Sequence, residues 1–254
     1  MAALGAYYEL VVCCRGEPDP ITGYLMNISA IDEAVRNRAI PLIKRAVQAA
    51  PRRAPGHVLR ELTAALQPAL TQPIQSVAWR LTPFYTVTME TAQMQRFLMT
   101  QQFDFAAAHR LHCRQLSEEE NRRIFGKCNN AHGHGHNYRL EVTVSAPLPP
   151  ESEPPEAAHP EAARPEAAHP EGGHRPLQLP ELERIVDEQV IQRFDHTHLN
   201  LDTAEFAQLN PSVEHIARVC HDLLVEPIAA TGAVLEKVTV WETEKTSCTY
   251  PAPF

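Results

Sequence analysis

The chain lacks most features that would classify it at a glance. No apolar run approaches the roughly 20 residues a membrane span requires. The start, Met1 to Ala6, has neither the basic region nor the long apolar core of a secretory leader, so a cytoplasmic protein is expected. Positive charge is in deficit: 23 Lys and Arg against 31 Asp and Glu leave a formal net charge of −8. That balance excludes a broad basic footprint for nucleic acid, and any anionic ligand must be held by a local cluster. The six cysteines include the adjacent pair Cys13 and Cys14 but no repeated spacing of a disulfide scaffold, so free thiols in a reducing compartment are expected. Histidine is nearly missing from the first hundred residues, where only His57 occurs. No His-Glu-Xaa-Xaa-His appears anywhere, which removes the usual hydrolytic zinc helix.

What is present divides near residue 95. A length of 254 residues with 44% hydrophobic content suffices for two small α+β units. The first half reads as a strand from Tyr7 to Cys14, helical patterns over Ile31 to Ala49 and Val58 to Leu70, then strands Ser76 to Leu81 and Tyr85 to Met89. The second reads as a strand from Tyr138, helices over Leu182 to Phe194 and Val213 to Leu224, then strands Leu235 to Glu242 and Ser247 to Tyr250. Element order thus repeats, although sequence barely does. Ser212 suits a helix N-cap, and Ile216, Cys220 and Leu224 fall on one helical face, a core stripe. Between about 147 and 176, Glu156-Ala-Ala-His159-Pro160 and two similar pentads place proline at every fifth position. Regular structure is blocked there, and a surface insertion is expected.

The remaining histidines carry the chemistry. In Cys128-Asn129-Asn130-Ala131-His132-Gly133-His134-Gly135-His136-Asn137-Tyr138, His134 and His136 open an alternating strand. Residues two apart on a strand share a face, so both imidazoles can address one ion. His109 ends another extended segment running through Phe97, Phe103 and Phe105. If the two strands pair antiparallel, it supplies a third ligand and leaves one position open, as catalytic zinc needs. Glycine-flanked histidines also occur in plain turns, and spacing alone leaves both readings standing.

Phe105-Ala-Ala-Ala-His109-Arg110-Leu111, Phe125-Gly126-Lys127-Cys128-Asn129-Asn130, His134-Gly135-His136-Asn137-Tyr138, Phe194-Asp195-His196 and Val240-Trp241-Glu242-Thr243 together resemble the 6-pyruvoyl-tetrahydropterin synthase family. The resemblance covers most of residues 97–254. It implies that His109, His134 and His136 bind Zn2+, that Cys128 is the catalytic base, that Asp195 and His196 complete a proton relay, and that Glu242 anchors the pterin ring. It also implies an α+β tunnelling fold (T-fold), a small antiparallel sheet with two helices on one face, assembled into rings with sites at subunit interfaces.

On this reading residues 1–95 are a degenerate, non-catalytic unit and 96–254 the catalytic one. Two such units per chain lead to an expected trimer of tandem chains. The small-molecule partner is a pterin triphosphate, with no nucleic acid and no membrane. Aligned terminal hairpins place Leu81 opposite Glu242, and leucine cannot make a carboxylate's paired hydrogen bonds. Two products remain open within the resemblance. Five residues separate Cys128 from His134-Gly135-His136, as in the pyruvoyl type. Three residues separate it from His132-Gly133-His134, as in the 6-carboxytetrahydropterin type of queuosine biosynthesis. An inactive pterin-binding or scaffold protein is the non-enzymatic alternative.

Overall fold

The structure, a computed structural model, describes residues 8–49, 53–149 and 177–251. The proline-rich stretch from residue 150 to 176 therefore lies outside the described residues. In chain order the elements are β1 (Glu9–Cys14), α1 (Ile28–Ala34), α2 (Ile40–Ala49), α3 (Pro55–Leu66), β2 (Ile74–Arg80), β3 (Tyr85–Glu90), β4 (Arg96–His109), α4 (Glu118–Phe125) and β5 (His134–Pro147). After the gap come α5 (Leu179–Val186), α6 (Gln192–Phe194), β6 (Thr197–His198), α7 (Leu199–Asp202), α8 (Val213–Ala229), β7 (Val234–Thr243) and β8 (Thr246–Tyr250). A π turn, Val35–Ala39, joins α1 to α2, and another, Asp187–Ile191, joins α5 to α6.

Seven strands form one continuous antiparallel sheet in the order β1-β2-β3-β4-β5-β7-β8, and β6 lies parallel to the end of β4. The register carries one buried face across the whole sheet. Leu10 pairs with Trp79, Trp79 with Val87, Val87 with Met99, Met99 with Val144 and Val144 with Leu235. Because side chains alternate along a strand, these residues stand side by side on the same side of the sheet. Helix α3 covers β2 and β3 through Leu59, Leu62 and Leu66; α8 covers β7 and β8 and buries Ile216, Cys220 and Leu224. All belong to a single apolar core.

Local signals explain the helix starts. Ser212 caps α8 by accepting from the His215 N–H, Pro55 opens α3 where a missing N–H costs nothing, and Ser117 and Glu120 form a reciprocal capping box on α4. The expected strands and long helices all appear, with ends moved by a few residues. Helix α4 has no counterpart in the sequence reading. Its sequence Glu-Glu-Glu-Asn-Arg-Arg carries too few apolar residues to show a periodic stripe, and the cap alone marks it.

Candidate metal centre

Strands β4 and β5 form a long hairpin that holds register from Arg96–Pro147 to His109–His134. On its core face the pairs run Met99–Val144, Phe103–Leu140 and Phe105–Tyr138, then change character to Ala107–His136 and His109–His134. The three imidazoles therefore continue the same face that builds the core, at the point where apolar residues give out. Phe105 and Tyr138 stack with ring centroids 5.0 Å apart and form the floor beneath them.

Ring nitrogens of His109, His134 and His136 lie within 4.8 Å of one another, with His109 fully buried. His109 Nε2 and His134 Nε2 approach to 3.1 Å. Four-coordinate zinc with bonds of ~2.0–2.1 Å would set its nitrogens about 3.4 Å apart, so the spacing suits such an ion. Protonation fits as well. His109 Nδ1 sits 2.7 Å from the Pro211 carbonyl, which can only accept, so Nδ1 carries the proton and Nε2 is left to bind. His134 Nδ1 and His136 Nε2 are buried with no hydrogen-bond partner. Leaving such atoms unpaired costs about 1–3 kcal/mol each, a penalty a shared cation would remove for any that bind it. Burial, then the neighbouring imidazoles, pushes the His134 pKa down; burial does the same at His136. Neutral rings are the form a metal requires.

Glu242 reaches the cluster from β7, its Oε1 3.2 Å from His109 Nε2 and 3.6 Å from His136 Nε2. The hydrogen bond from His109, reinforced by the charge of His136, holds this carboxyl below its ordinary range despite burial. The family resemblance implies a role for Glu242 apart from the three histidines; the structure sets it against them. Tyr138 is a residue that sequence reasoning treated only as strand. Its hydroxyl is buried without a partner, and burial, with help from Glu242 and Cys128, pushes its pKa well up. The signal was available, since Tyr138 shares the parity of His134 and His136.

Cys128 lies on the short 3-10 turn Gly126–Asn129, after α4. That turn is stitched to the chain leaving His109. The Leu111 N–H donates to the Cys128 carbonyl, and Asn129 Nδ2 donates to the Leu111 carbonyl. Fully buried Asn121 closes the intervening loop by bonding Cys113, Leu116 and Ser117. His132 is exposed and outside the imidazole cluster, so the pair brought together is His134 and His136.

Asp195 and His196 lie along the edge of β4 beside this cluster. Asp195 accepts from the Ala106 N–H at 2.8 Å and lies 2.8 Å from His196 Nδ1. The Ala106 bond, then His196, keeps its pKa low. His196 adopts φ of 58° and its side chain is 83% exposed. With His136, Gly135, Ala106 and His198 it lines a cleft of about 520 Å³. Because His136 is one of the three clustered imidazoles, this cleft reaches from the Asp195–His196 pair to the cluster at the end of the β4–β5 hairpin. Among the described residues no hydrogen bond or ion pair links the Asp195–His196 pair to Cys128 or the three rings.

A single antiparallel sheet backed by helices, with a partly buried three-histidine cluster at the end of its longest hairpin, defines an α+β protein built around a candidate ion site. The sequence profile of the 6-pyruvoyl tetrahydropterin synthase family matches residues 98–154 and 171–253, breaking within the proline-rich stretch. The chain is 32% identical over 152 residues to the human 6-pyruvoyl tetrahydrobiopterin synthase, covering 60% of this chain and 89% of that protein. It is 31% identical over 156 residues to the Drosophila melanogaster enzyme of the same name, covering 61% and 80%. The solved Caenorhabditis elegans 6-pyruvoyl tetrahydropterin synthase superposes with a TM-score of 0.50 at 30% identity, covering 62% of this chain and 96% of that one. The chain belongs to the 6-pyruvoyl tetrahydropterin synthase family, and its fold is the family's tunnelling fold.

Proposed function

We propose that the protein is a zinc-dependent carbon–oxygen lyase that converts 7,8-dihydroneopterin triphosphate to 6-pyruvoyl-tetrahydropterin, releasing triphosphate. The observation that carries this reading is the convergence of His109, His134, His136 and Glu242 beside the Cys128 turn. Bound zinc would act as a Lewis acid, making a proton beside a chelating side-chain hydroxyl more acidic. Cys128 takes that proton, since a thiolate near a dication is a competent base near neutral pH. Glu242, kept ionised, accepts paired hydrogen bonds from the amino-pyrimidine edge of the pterin and fixes the ring. The hydrogens lost from the side chain are regained by the ring, so triphosphate departs with no external oxidant or reductant.

Asp195 and His196 are assigned the second proton transfer. His196 lines the same cleft as His136, which supports a proton transfer at this centre. The sheet path ends in β1 and β8, and head-to-tail pairing of these strands between copies would close a ring. We assign that ring as a trimer of tandem chains, with residues 1–95 structural and one working site per chain, in the cytoplasm. No helix among the described residues is long and apolar enough to cross a membrane.

The pyruvoyl product is favoured over the carboxy product by one observation: the clustered rings are His134 and His136, with five residues between Cys128 and His134, and not His132. Purified protein incubated with 7,8-dihydroneopterin triphosphate, with products identified by mass, is the test. Pyruvoyl product is expected. A carboxy product with a two-carbon fragment would move the assignment to the sister enzyme, and absence of turnover would leave a pterin-binding protein.

A further inference from the structure

We propose that the Tyr138 hydroxyl is the hydrogen-bond donor that holds the Glu242 carboxylate in place when an ion occupies the three imidazoles. Tyr138 is then a positioning residue, acting on a ligand through Glu242. The identity of that ligand rests on the pterin reading; the Tyr138–Glu242 pair itself rests on the geometry of the sheet.

The two side chains are neighbours across β5 and β7. These strands pair Leu140 with Val240 and Arg139 with Trp241, and the same register one residue further sets Tyr138 opposite Glu242. Residues opposed in this way share a face, with Cβ atoms about 4.5–5.5 Å apart. The phenol ring is held on its other sides by aromatic neighbours. It stacks on Phe105 at 5.0 Å, and the His136 and His109 rings lie 5.5 and 6.1 Å away. Tyr138 is fully buried and its hydroxyl has no hydrogen-bond partner. An unpaired buried O–H is destabilising, so the site calls for a partner supplied in another of its states. Burial, then the charges of Glu242 and Cys128, pushes the phenol pKa well up, so the hydroxyl keeps its proton and can donate.

Glu242 becomes that partner when an ion binds. Its Oε1 leans on His109 Nε2 at 3.2 Å and on His136 Nε2 at 3.6 Å. Ring nitrogens that ligate an ion have no proton to offer, so the carboxylate loses these contacts as donors. A bond from Tyr138 then satisfies a stranded acceptor and a stranded donor together. A carboxylate has about four acceptor sites, so one bond from the phenol leaves room for the N–H groups of a ligand ring. The first half shows the converse. It keeps a tyrosine at the matching position, Tyr8, but has Leu81 in place of the carboxylate, and there the tyrosine is only half-buried.

The test compares wild type, Tyr138→Phe, Glu242→Gln and the double variant, each metal-free and loaded with zinc. Metal-free Tyr138→Phe should melt at or above the wild-type temperature, because it deletes a hydroxyl without a partner. A lower melting temperature would show that the bond already exists and would overturn the proposal. Zinc should raise the melting temperature of wild type by more than that of Tyr138→Phe, with one ion bound by each; equal shifts would overturn it. Neither measurement involves a pterin. Titration calorimetry of the zinc-loaded proteins with 7,8-dihydroneopterin supplies the functional readout. Affinity should fall about tenfold in Tyr138→Phe, the lower end for a hydrogen bond to a charged group. In the double variant it should stay within about twofold of Glu242→Gln alone, since Tyr138 acts through that carboxylate. Losses that multiply would place the Tyr138 bond elsewhere, and loss of zinc from Glu242→Gln would make the carboxylate a ligand to the ion; either result overturns the proposal. The expected melting shifts in a wild-type protein that ignores dihydroneopterin would support the Tyr138–Glu242 pair and refute the pterin reading.

Discussion

The two halves of the sheet share a plan and differ in chemistry. β1, a helix interrupted by a π turn, α3 and the β2–β3 hairpin recur as β5, a helix interrupted by a π turn, α8 and the β7–β8 hairpin. Registers align as well. Leu10 faces Trp79 as Leu140 faces Val240, which places Tyr8 where Tyr138 stands. Two and four residues earlier the second half has His136 and His134, where the first has Ala6 and Leu4. Glu242 is matched by Leu81, which packs on the core. The second half also gains β4, which pairs along all of β5 and brings His109 to its end. A scaffold of this kind holds itself together by its apolar face; function enters only where that face is overrun and its last positions become polar.

The comparison breaks first at the metal. His134→Ala should abolish stoichiometric zinc and all turnover, whereas His57→Ala should leave one ion per chain. Metal analysis finding a second ion in wild-type protein would show that the first half has a centre of its own. Cys128→Ala is expected to keep its zinc and to lose turnover by about 10²–10⁴-fold, the range of general-base catalysis; loss of the ion instead would make the thiol a ligand.

The shared core predicts a more even response. Leu62→Ala in the first half and Leu224→Ala in the second each remove a fully buried side chain and should each cost about 2–5 kcal/mol. Because one core spans both halves, each variant should shift a single unfolding transition; two separable transitions in calorimetry would divide the halves energetically.

The smallest effect is expected at the Glu242–Leu81 contrast. Glu242→Gln should weaken pterin capture by roughly tenfold to a hundredfold, the worth of a charged hydrogen bond, and Leu81→Glu should create no second pterin site. Linkage gives the same residue a pH signature in metal-free protein. Its folded pKa lies below the ordinary carboxyl value, so its stabilising contribution is complete above about pH 4.5 and is lost as pH falls through the folded value. Thermal melts between pH 3 and pH 6 should therefore be flatter in Glu242→Gln than in wild type.

Much of this was legible in the sequence because it is periodic. Alternation from Tyr138 onward revealed β5, and the spacing of Ile216, Cys220 and Leu224 revealed α8, since burial on one face repeats with the geometry of the element. The clustering of three imidazoles was legible from the strand parity of His134 and His136 together with a third histidine ending another extended run. α4 stayed hidden because its turn is charged and its start depends on the Ser117–Glu120 box. Tyr138 read as strand because a phenol on a buried face looks like core until its hydroxyl is seen to lack a partner.

By itself the sequence determined which residues could serve: three imidazoles, a thiol, a carboxylate, and a first half without their counterparts. Tertiary structure decided what they meet. The β4–β5 register set His109 opposite His134, the bond to Pro211 selected the His109 nitrogen left free, the return of β7 put Glu242 against the rings, and the Ala106 contact fixed Asp195 and His196 at the edge of β4. Strand parity is a local property of the chain, whereas pairing, shared protons and mutual burial exist only between segments far apart in sequence, and those are what make a set of residues a site.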